Sequence, residues 1–186
     1  MAKTTTDLST YNNDWYQPGN IFKRGIWYLV NLLFFKSFLC PFSRLKRMLL
    51  RCFGAKIGKC VVIKPNVNIK YPWFLQIGDY TWIGENVWID NLGMVNVGAH
   101  VCISQGAFLV GGNHDFTKTT FDLIVKPINI EDGAWIGAKS IVCGGAFCGS
   151  HCVLTVGSIV SGVLEPYSIY SGNPAVKIKE RVILKT

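Results

Sequence analysis

Three histidines, His100, His114 and His151, are the side chains best suited to proton transfer. A neutral imidazole with a pKa near ~6.5 accepts a proton at cellular pH. Seven cysteines, at 40, 52, 60, 102, 143, 148 and 152, add possible nucleophile or metal-ligand chemistry. Their number is odd and no CxxC pair occurs, so most are expected as buried thiols in a reducing compartment. Cys148, His151 and Cys152 lie close enough together in sequence to invite a metal. Which of these side chains acts depends on the elements that hold them.

Those elements follow a six-residue period. Aliphatic residues recur at Ile57, Ile63, Ile69, Ile77, Ile83, Ile89, Val97, Ile103 and Leu109. They resume at Ile130, Ile136, Val142, Cys148, Leu154 and Val160, and fourteen of these fifteen positions are Ile, Val or Leu. Gly often follows, as at Gly58, Gly78, Gly84, Gly98, Gly137 and Gly149, and small or β-branched residues recur four places after the aliphatic. Each hexad supplies one short strand and one turn, and three hexads close a triangular coil. The aliphatic side chains then stack inward, coil upon coil. Ile57, Ile77 and Val97 step by 20 residues, three hexads and two extra corner residues, whereas Ile130 to Cys148 steps by 18. A helical period cannot produce this, and simple alternation would not set Gly so regularly. The pattern predicts an all-β solenoid, a parallel β-helix over residues 54–165.

Leu109 to Ile130 is 21 residues where six are due, so about fifteen leave the column, in an inserted loop over 111–129. Insertions do not help build the column, and function concentrates in them. His100 and His151 are each the fourth residue of a hexad, a corner position that also holds Asn66, Tyr80, Asn86 and Lys139. That phase reads as structural or solvent-facing and weakens the metal reading of Cys148, His151 and Cys152. His114 has no counterpart in the repeat and stands at the root of the insertion, which makes it the candidate catalytic base.

Residues 1–53 differ in character. The stretch 26–42 is apolar almost all round, but Asn31 and Lys36 interrupt it and Pro41 ends it, short of the ~20 residues a spanning helix needs. Arg44, Lys46, Arg47 and Arg51 follow, interleaved with Leu45, Met48, Leu49 and Leu50, as in an amphipathic helix with a basic face. The segment 21–52 reads either as a helical cap over the end of the β-helix or as a peripheral membrane contact. The first twenty residues are polar and hold no secretory signal, so the expectation is a cytoplasmic protein, with the membrane option at its inner face. The net charge of +8 comes without a nucleic-acid motif, and phosphates on a small molecule or an anionic membrane suit it better. Residues 166–186 form a C-terminal extension in which Lys177, Lys179, Arg181 and Lys185 cluster.

Hexads of this form, followed by a loop carrying a His, resemble the hexapeptide-repeat acyltransferases. The closing Ser171-Gly172-Asn173-Pro174-Ala175-Val176-Lys177-Ile178 is similar to an ending common in that superfamily, as is Ile130-Glu131-Asp132-Gly133-Ala134-Trp135-Ile136-Gly137-Ala138 to its coil after the loop. Asp14-Trp15-Tyr16-Gln17-Pro18-Gly19, Ile69-Lys70-Tyr71-Pro72-Trp73 and Gly112-Asn113-His114-Asp115 narrow the likeness to the colanic acid O-acetyltransferase branch, enzymes associated with exopolysaccharide assembly. The resemblance implies a left-handed β-helix, a homotrimer with active sites between neighbouring β-helices, acetyl-CoA as donor and a sugar hydroxyl as acceptor. It implies direct transfer with His114 as base, no covalent enzyme intermediate and no metal. By position it implies donor contacts at Ala138, Val156, Ser161 and Gly162, with Lys177 and Lys179 available for phosphates. Ser161-Gly162 stands where sugar acetyltransferases often carry Thr-Lys, and Val176-Lys177 reverses the usual order. On the acceptor side it points to Glu85 and Asp90, either of which would orient His114 or hydrogen-bond a sugar.

Two other readings stand beside this one. A γ-class carbonic anhydrase shares the fold and binds zinc through three histidines; this chain has three, two of them in corner phase. A non-catalytic β-helical scaffold would need neither an off-repeat His loop nor an open groove.

Overall fold

Each hexad folds as a strand of two or three residues followed by a turn, as in Val62–Ile63, Trp82–Ile83 and Cys102–Ile103. The computed structural model describes residues 4–185. In it the strands stack in parallel into three faces of a β-helix. The first face runs from Lys56–Ile57 to Val163–Leu164, the second from Val62–Ile63 to Ser168–Gly172, and the third from Asn68–Ile69 to Ile159–Val160. The aliphatic residues of the period pair in register: Ile57 with Ile77, Ile63 with Ile83, Ile69 with Ile89, and onward to Val142 with Val160. All of them are buried, including Cys148.

The turn chemistry explains the other positions of the hexad. A Cβ at Gly78 would meet the backbone of the next coil at 2.5 Å, and one at Gly137 at 2.6 Å, so the second position is confined by close coil approach. At the corners that follow the first and second faces the fourth position carries positive φ, whether the residue is Cys60, Asn66, Tyr80, Asn86, His100, Lys139, His151 or Tyr167. Such backbone costs a non-glycine residue about 1–2 kcal/mol, which the stacked coils must offset. His100 and His151 therefore sit at a corner dictated by backbone geometry. Their rings stack on Tyr80 and Tyr167 at 5.1 and 4.7 Å. In the coils of 20 residues the extra residues widen the corner between the third and first faces. There Asn91 closes the turn by accepting from the Tyr71 N–H and donating to its carbonyl.

The chain before the first coil caps it. Helix α1 (Ile21–Val30) starts at an N-cap, Asn20, whose side chain accepts from Phe22 N, and runs into a π-helical turn, Asn31–Phe35. Helix α2 (Ser43–Cys52) follows a linker. A first coil has no preceding coil to hydrogen-bond its lower edge, and these helices supply the missing partners. Arg51 donates to the carbonyls of Ile57 and Gly58, Arg47 to Val61, and Lys46 to Lys64. Ser43 bonds both the N–H and the carbonyl of Ile63, Asn31 accepts from Ile69 N, and the Trp27 indole donates to Ile69 O at 2.8 Å. The basic run of α2 is thus largely edge cap. Burial pushes the Lys46 ammonium down, and the Phe35 ring lies 5.8 Å from it.

At the other end the chain turns back, and Ala175–Glu180 pairs antiparallel with Ser168–Gly172 on the second face. Arg181 then pins the strand by donating to the carbonyls of Gly133 and His151, each at 3.0 Å. The column resumes at Ile128, which pairs with Val95, so the residues outside the stack are 111–127.

Replacing Trp27 by Phe keeps an aromatic ring in the buried site but strands the Ile69 carbonyl without its donor. We expect a loss of about 1–3 kcal/mol, read as a lower denaturant midpoint with an unchanged slope. No change in midpoint would mean that the cap does not depend on this bond.

Candidate active site

The insertion is an ordered β-hairpin. Gly112–His114 pairs antiparallel with Leu123–Val125, His114 opposite Leu123. Its base is tied to the widened corner one coil below, where Gly111 N–H donates to the Asp90 carbonyl at 3.0 Å. Its tip is locked by Thr117, which donates to Asp115 and holds that carboxyl below its usual range, and by Lys118, 2.8 Å from Asp122.

His114 is half-buried and fixed on three sides. Its Nδ1 lies 2.9 Å from the Phe121 carbonyl, and a carbonyl can only accept, so Nδ1 carries the proton in the neutral ring. The lone pair of Nε2 is thereby left free to take a proton. The Phe121 ring stacks on the imidazole at 4.4 Å and 8°, and Tyr11 of the N-terminal segment approaches at 5.7 Å. Phe121 itself has φ 51°, a left-handed conformation that turns its carbonyl back toward the histidine while its side chain covers the ring. The N-terminal segment follows the hairpin: Asp7 N–H donates to the Thr119 carbonyl at 2.9 Å, and the Tyr16 hydroxyl to Leu92 at 2.6 Å. Burial pushes the Tyr16 phenol up, so it stays a neutral donor.

The two candidate carboxylates lie in different surroundings. Asp90 lies in a cleft of about 480 Å³ between α1 and the third face, lined in part by Arg24, Lys36, Lys70, Tyr71 and Trp88. Lys70 Nζ is 3.0 Å from its Oδ1, a charge contact without hydrogen-bond geometry, so that buried oxygen keeps a free acceptor lobe. Glu85 is exposed at the corner between the second and third faces, and its backbone carbonyl accepts from Gly106. Within the chain, the partner of His114 Nδ1 is the Phe121 carbonyl rather than either carboxylate.

The residues expected to meet the donor divide between two corners. Ala138 and Val156 occupy successive coils at the corner between the second and third faces, where Gly157 N–H donates to the Ala138 carbonyl. Ser161 and Gly162 lie at the corner between the third and first faces, the one from which the hairpin leaves, two coils further on. Lys177 is held by Glu165 at 2.7 Å and Glu180 at 2.6 Å, and these hydrogen bonds push its ammonium up. Lys179 is exposed on the same strand. Among the described residues no group of three His, Cys, Asp or Glu side chains gathers as a metal site.

WcaF of Escherichia coli K12, named as a colanic acid biosynthesis acetyltransferase, is 40% identical over 167 residues, 90% of this chain and 92% of its own. The chain belongs to this acetyltransferase family. No protein-family model matches it. The fold is that of VCA0836 from Vibrio cholerae O1 biovar eltor, a hexapeptide-repeat acetyltransferase crystallised with acetyl-CoA. That protein is 22% identical, with a TM-score of 0.78 over 87% of this chain and 88% of that one. A maltose O-acetyltransferase from Clostridium difficile 630 shares it at 19% identity and a TM-score of 0.76, over 93% of this chain and 92% of that one.

For an acetyltransferase, the parts that repeat phase did not reveal are those that hold the histidine. Phe121 lies inside the insertion, where no period applies, and Tyr11 comes from a segment with no pattern of its own. No spacing within the insertion marked Phe121 as the partner of His114.

Neutral His114 is expected as the Nδ1–H tautomer, observable in the imidazole ¹⁵N shifts of selectively labelled protein. An Nε2–H tautomer would mean that the Phe121 carbonyl does not hold the ring.

Proposed function

We propose that this acetyltransferase moves the acetyl group of acetyl-CoA onto a sugar hydroxyl, in exopolysaccharide biosynthesis, with His114 as general base. The observation that carries the reading is the Nδ1 bond to the Phe121 carbonyl, which leaves Nε2 as the acceptor. As the hydroxyl oxygen attacks the thioester carbonyl, Nε2 takes its proton, and a backbone N–H stabilises the tetrahedral oxyanion. When the C–S bond breaks, the imidazolium returns that proton to the leaving thiolate. The protein's cysteines take no part.

Asp90 and Glu85 belong to the acceptor side in this reading. The Asp90 carboxylate, in a cleft with Trp88 and Tyr71, is assigned to accept from a sugar hydroxyl. Ala138, Val156, Ser161 and Gly162 bracket the third face and are assigned to the donor. Lys179 is the better phosphate ligand of the two lysines, since two carboxylates already neutralise Lys177.

The assembly in this reading is a cytoplasmic homotrimer with the site between neighbouring β-helices. Trp82 and Trp135 project from the second face and Trp88 from the third, each about half exposed. Side chains of that size left half in water mark a surface for another protein surface. A sedimentation mass of three chains is the expected result, and a monomer across the working concentration range would exclude it.

His114→Ala is expected to lower kcat by about 10²–10⁴ with little change in the KM for acetyl-CoA, measured as thiol release with sugar acceptors. Activity within a few-fold of wild type, or a wild type that transfers to no glycan, would sink the reading.

A further inference from the structure

α1 is apolar on both sides. Its inward side carries Trp27 and, after the π-helical turn, Phe35, both buried against the first coil. The opposite side carries Phe22, Ile26, Leu29 and Leu33, at spacings of four, three and four, and all are exposed, Phe22 to 77%. The linker adds Phe38, Leu39 and Phe42, with Leu39 at 92% exposure. Leu33, Leu39 and Phe42 border a shallow trough of about 430 Å³. A cap needs one apolar face; this segment has a second, and nothing among the described residues covers it.

The charge around this face has one sign. From Trp15 to Gly78 there is no Asp or Glu, while eleven of the chain's 19 Lys and Arg lie in that stretch: Lys23, Arg24, Lys36, Arg44, Lys46, Arg47, Arg51, Lys56, Lys59, Lys64 and Lys70. Lys46, Arg47 and Arg51 are committed to capping carbonyls. Arg24 and Lys36 are exposed on the flank of α1 that lines the Asp90 cleft, and Arg44 is exposed at the start of α2, just after the linker. Two copies joined through this face by a twofold axis would set these cations against each other, which disfavours a second copy as the occupant.

We propose that this face docks on an anionic lipid bilayer, with α1 and the linker lying in the interface and the cations at its margins, Lys36 and Arg44 among them, at headgroup level. From Ile21 to Phe35 the helix is about 22 Å long, too short to span but long enough to lie flat. No helix among the described residues is long and apolar enough to cross a membrane. Exposed Phe and Leu would reach the acyl boundary, and each cation near the surface adds to the attraction. The cleft holding Asp90 includes Leu32 and Lys36, so its mouth adjoins the docked face. An acceptor presented at a bilayer would enter there. That last step rests on the acceptor assignment above; the docking itself does not.

The test is flotation of the full chain with vesicles of phosphatidylcholine alone or with about 30% phosphatidylglycerol. Wild type should float with the anionic vesicles and remain below with the neutral ones. Its partitioning should fall at least about fivefold when salt rises from about 0.1 M to about 0.5 M. The variant Phe22→Ser, Ile26→Ser, Leu29→Ser, Leu33→Ser alters solvent-facing side chains, so circular dichroism and thermal midpoint should stay close to wild type. Its partitioning should drop at least about tenfold. Absence of flotation by wild type, or equal flotation of the folded variant, overturns the proposal. So does a variant with reduced sedimentation mass and unchanged lipid binding, which would make the face a contact between copies. Because the readout is lipid binding, a failure of docking leaves the acetyl-transfer reading to its own assay.

Discussion

The backbone ladder between coils is the interaction on which everything else in this molecule depends. Each strand of two or three residues is too short to be stable alone, and it persists because the coils on either side satisfy its N–H and carbonyl groups. The stack therefore has a problem at each end that no internal coil has. At the start it is solved by side chains: Arg51, Arg47, Lys46, Ser43, Asn31 and Trp27 take the place of a missing coil. At the finish it is solved by backbone, when the chain reverses and pairs with its last strand. The unusual burial of Lys46 follows from the first solution, since its ammonium replaces a backbone donor and cannot face water.

How much was legible in the sequence divides along the same line. The period reveals which residues stack, because a solenoid repeats one local solution and every repeat votes for it. Ile57, Ile77 and Val97 point to the same register that their strands adopt. The fourth position of the hexad identifies His100 and His151 as corner residues, and its cause is a left-handed backbone that varied side chains tolerate. The capping contacts were beyond such reading. A basic amphipathic helix looks the same whether its cations meet water, lipid or bare carbonyls, and in α2 most of them meet carbonyls. The π-helical turn at Asn31–Phe35 is a further case, since it turns Asn31 onto the strand edge and leaves no mark in hydrophobic spacing.

His114 shows the opposite situation, in which the absence of a pattern was the signal. Nothing in the stack explains a histidine there, yet nothing in the spacing says what holds it. The partner is the Phe121 carbonyl, contributed by a residue in a strained conformation across the hairpin. A carbonyl fixes the tautomer as a carboxylate would, but brings only a dipole and not a full negative charge to the ring. That frees Asp90 for a different task, and its pairing with Lys70 in the neighbouring cleft is consistent with acceptor binding rather than with orienting the base.

The N-terminal segment joins these parts into one. It caps the first coil through α1 and α2, and α1 forms one wall of the cleft that holds Asp90. Ahead of α1 it fastens Tyr16 to Leu92, sets Tyr11 beside His114 and bonds Asp7 to Thr119 at the hairpin. The residues from 7 to 52 therefore touch the hairpin with its histidine, the Asp90 cleft and the base of the stack in succession. A β-helix by itself is stiff along its axis and offers no coupling between its end and a hairpin partway up its side. The N-terminal segment runs covalently from one to the other. The element that solves the edge problem thus also walls the Asp90 cleft and braces the hairpin that carries His114.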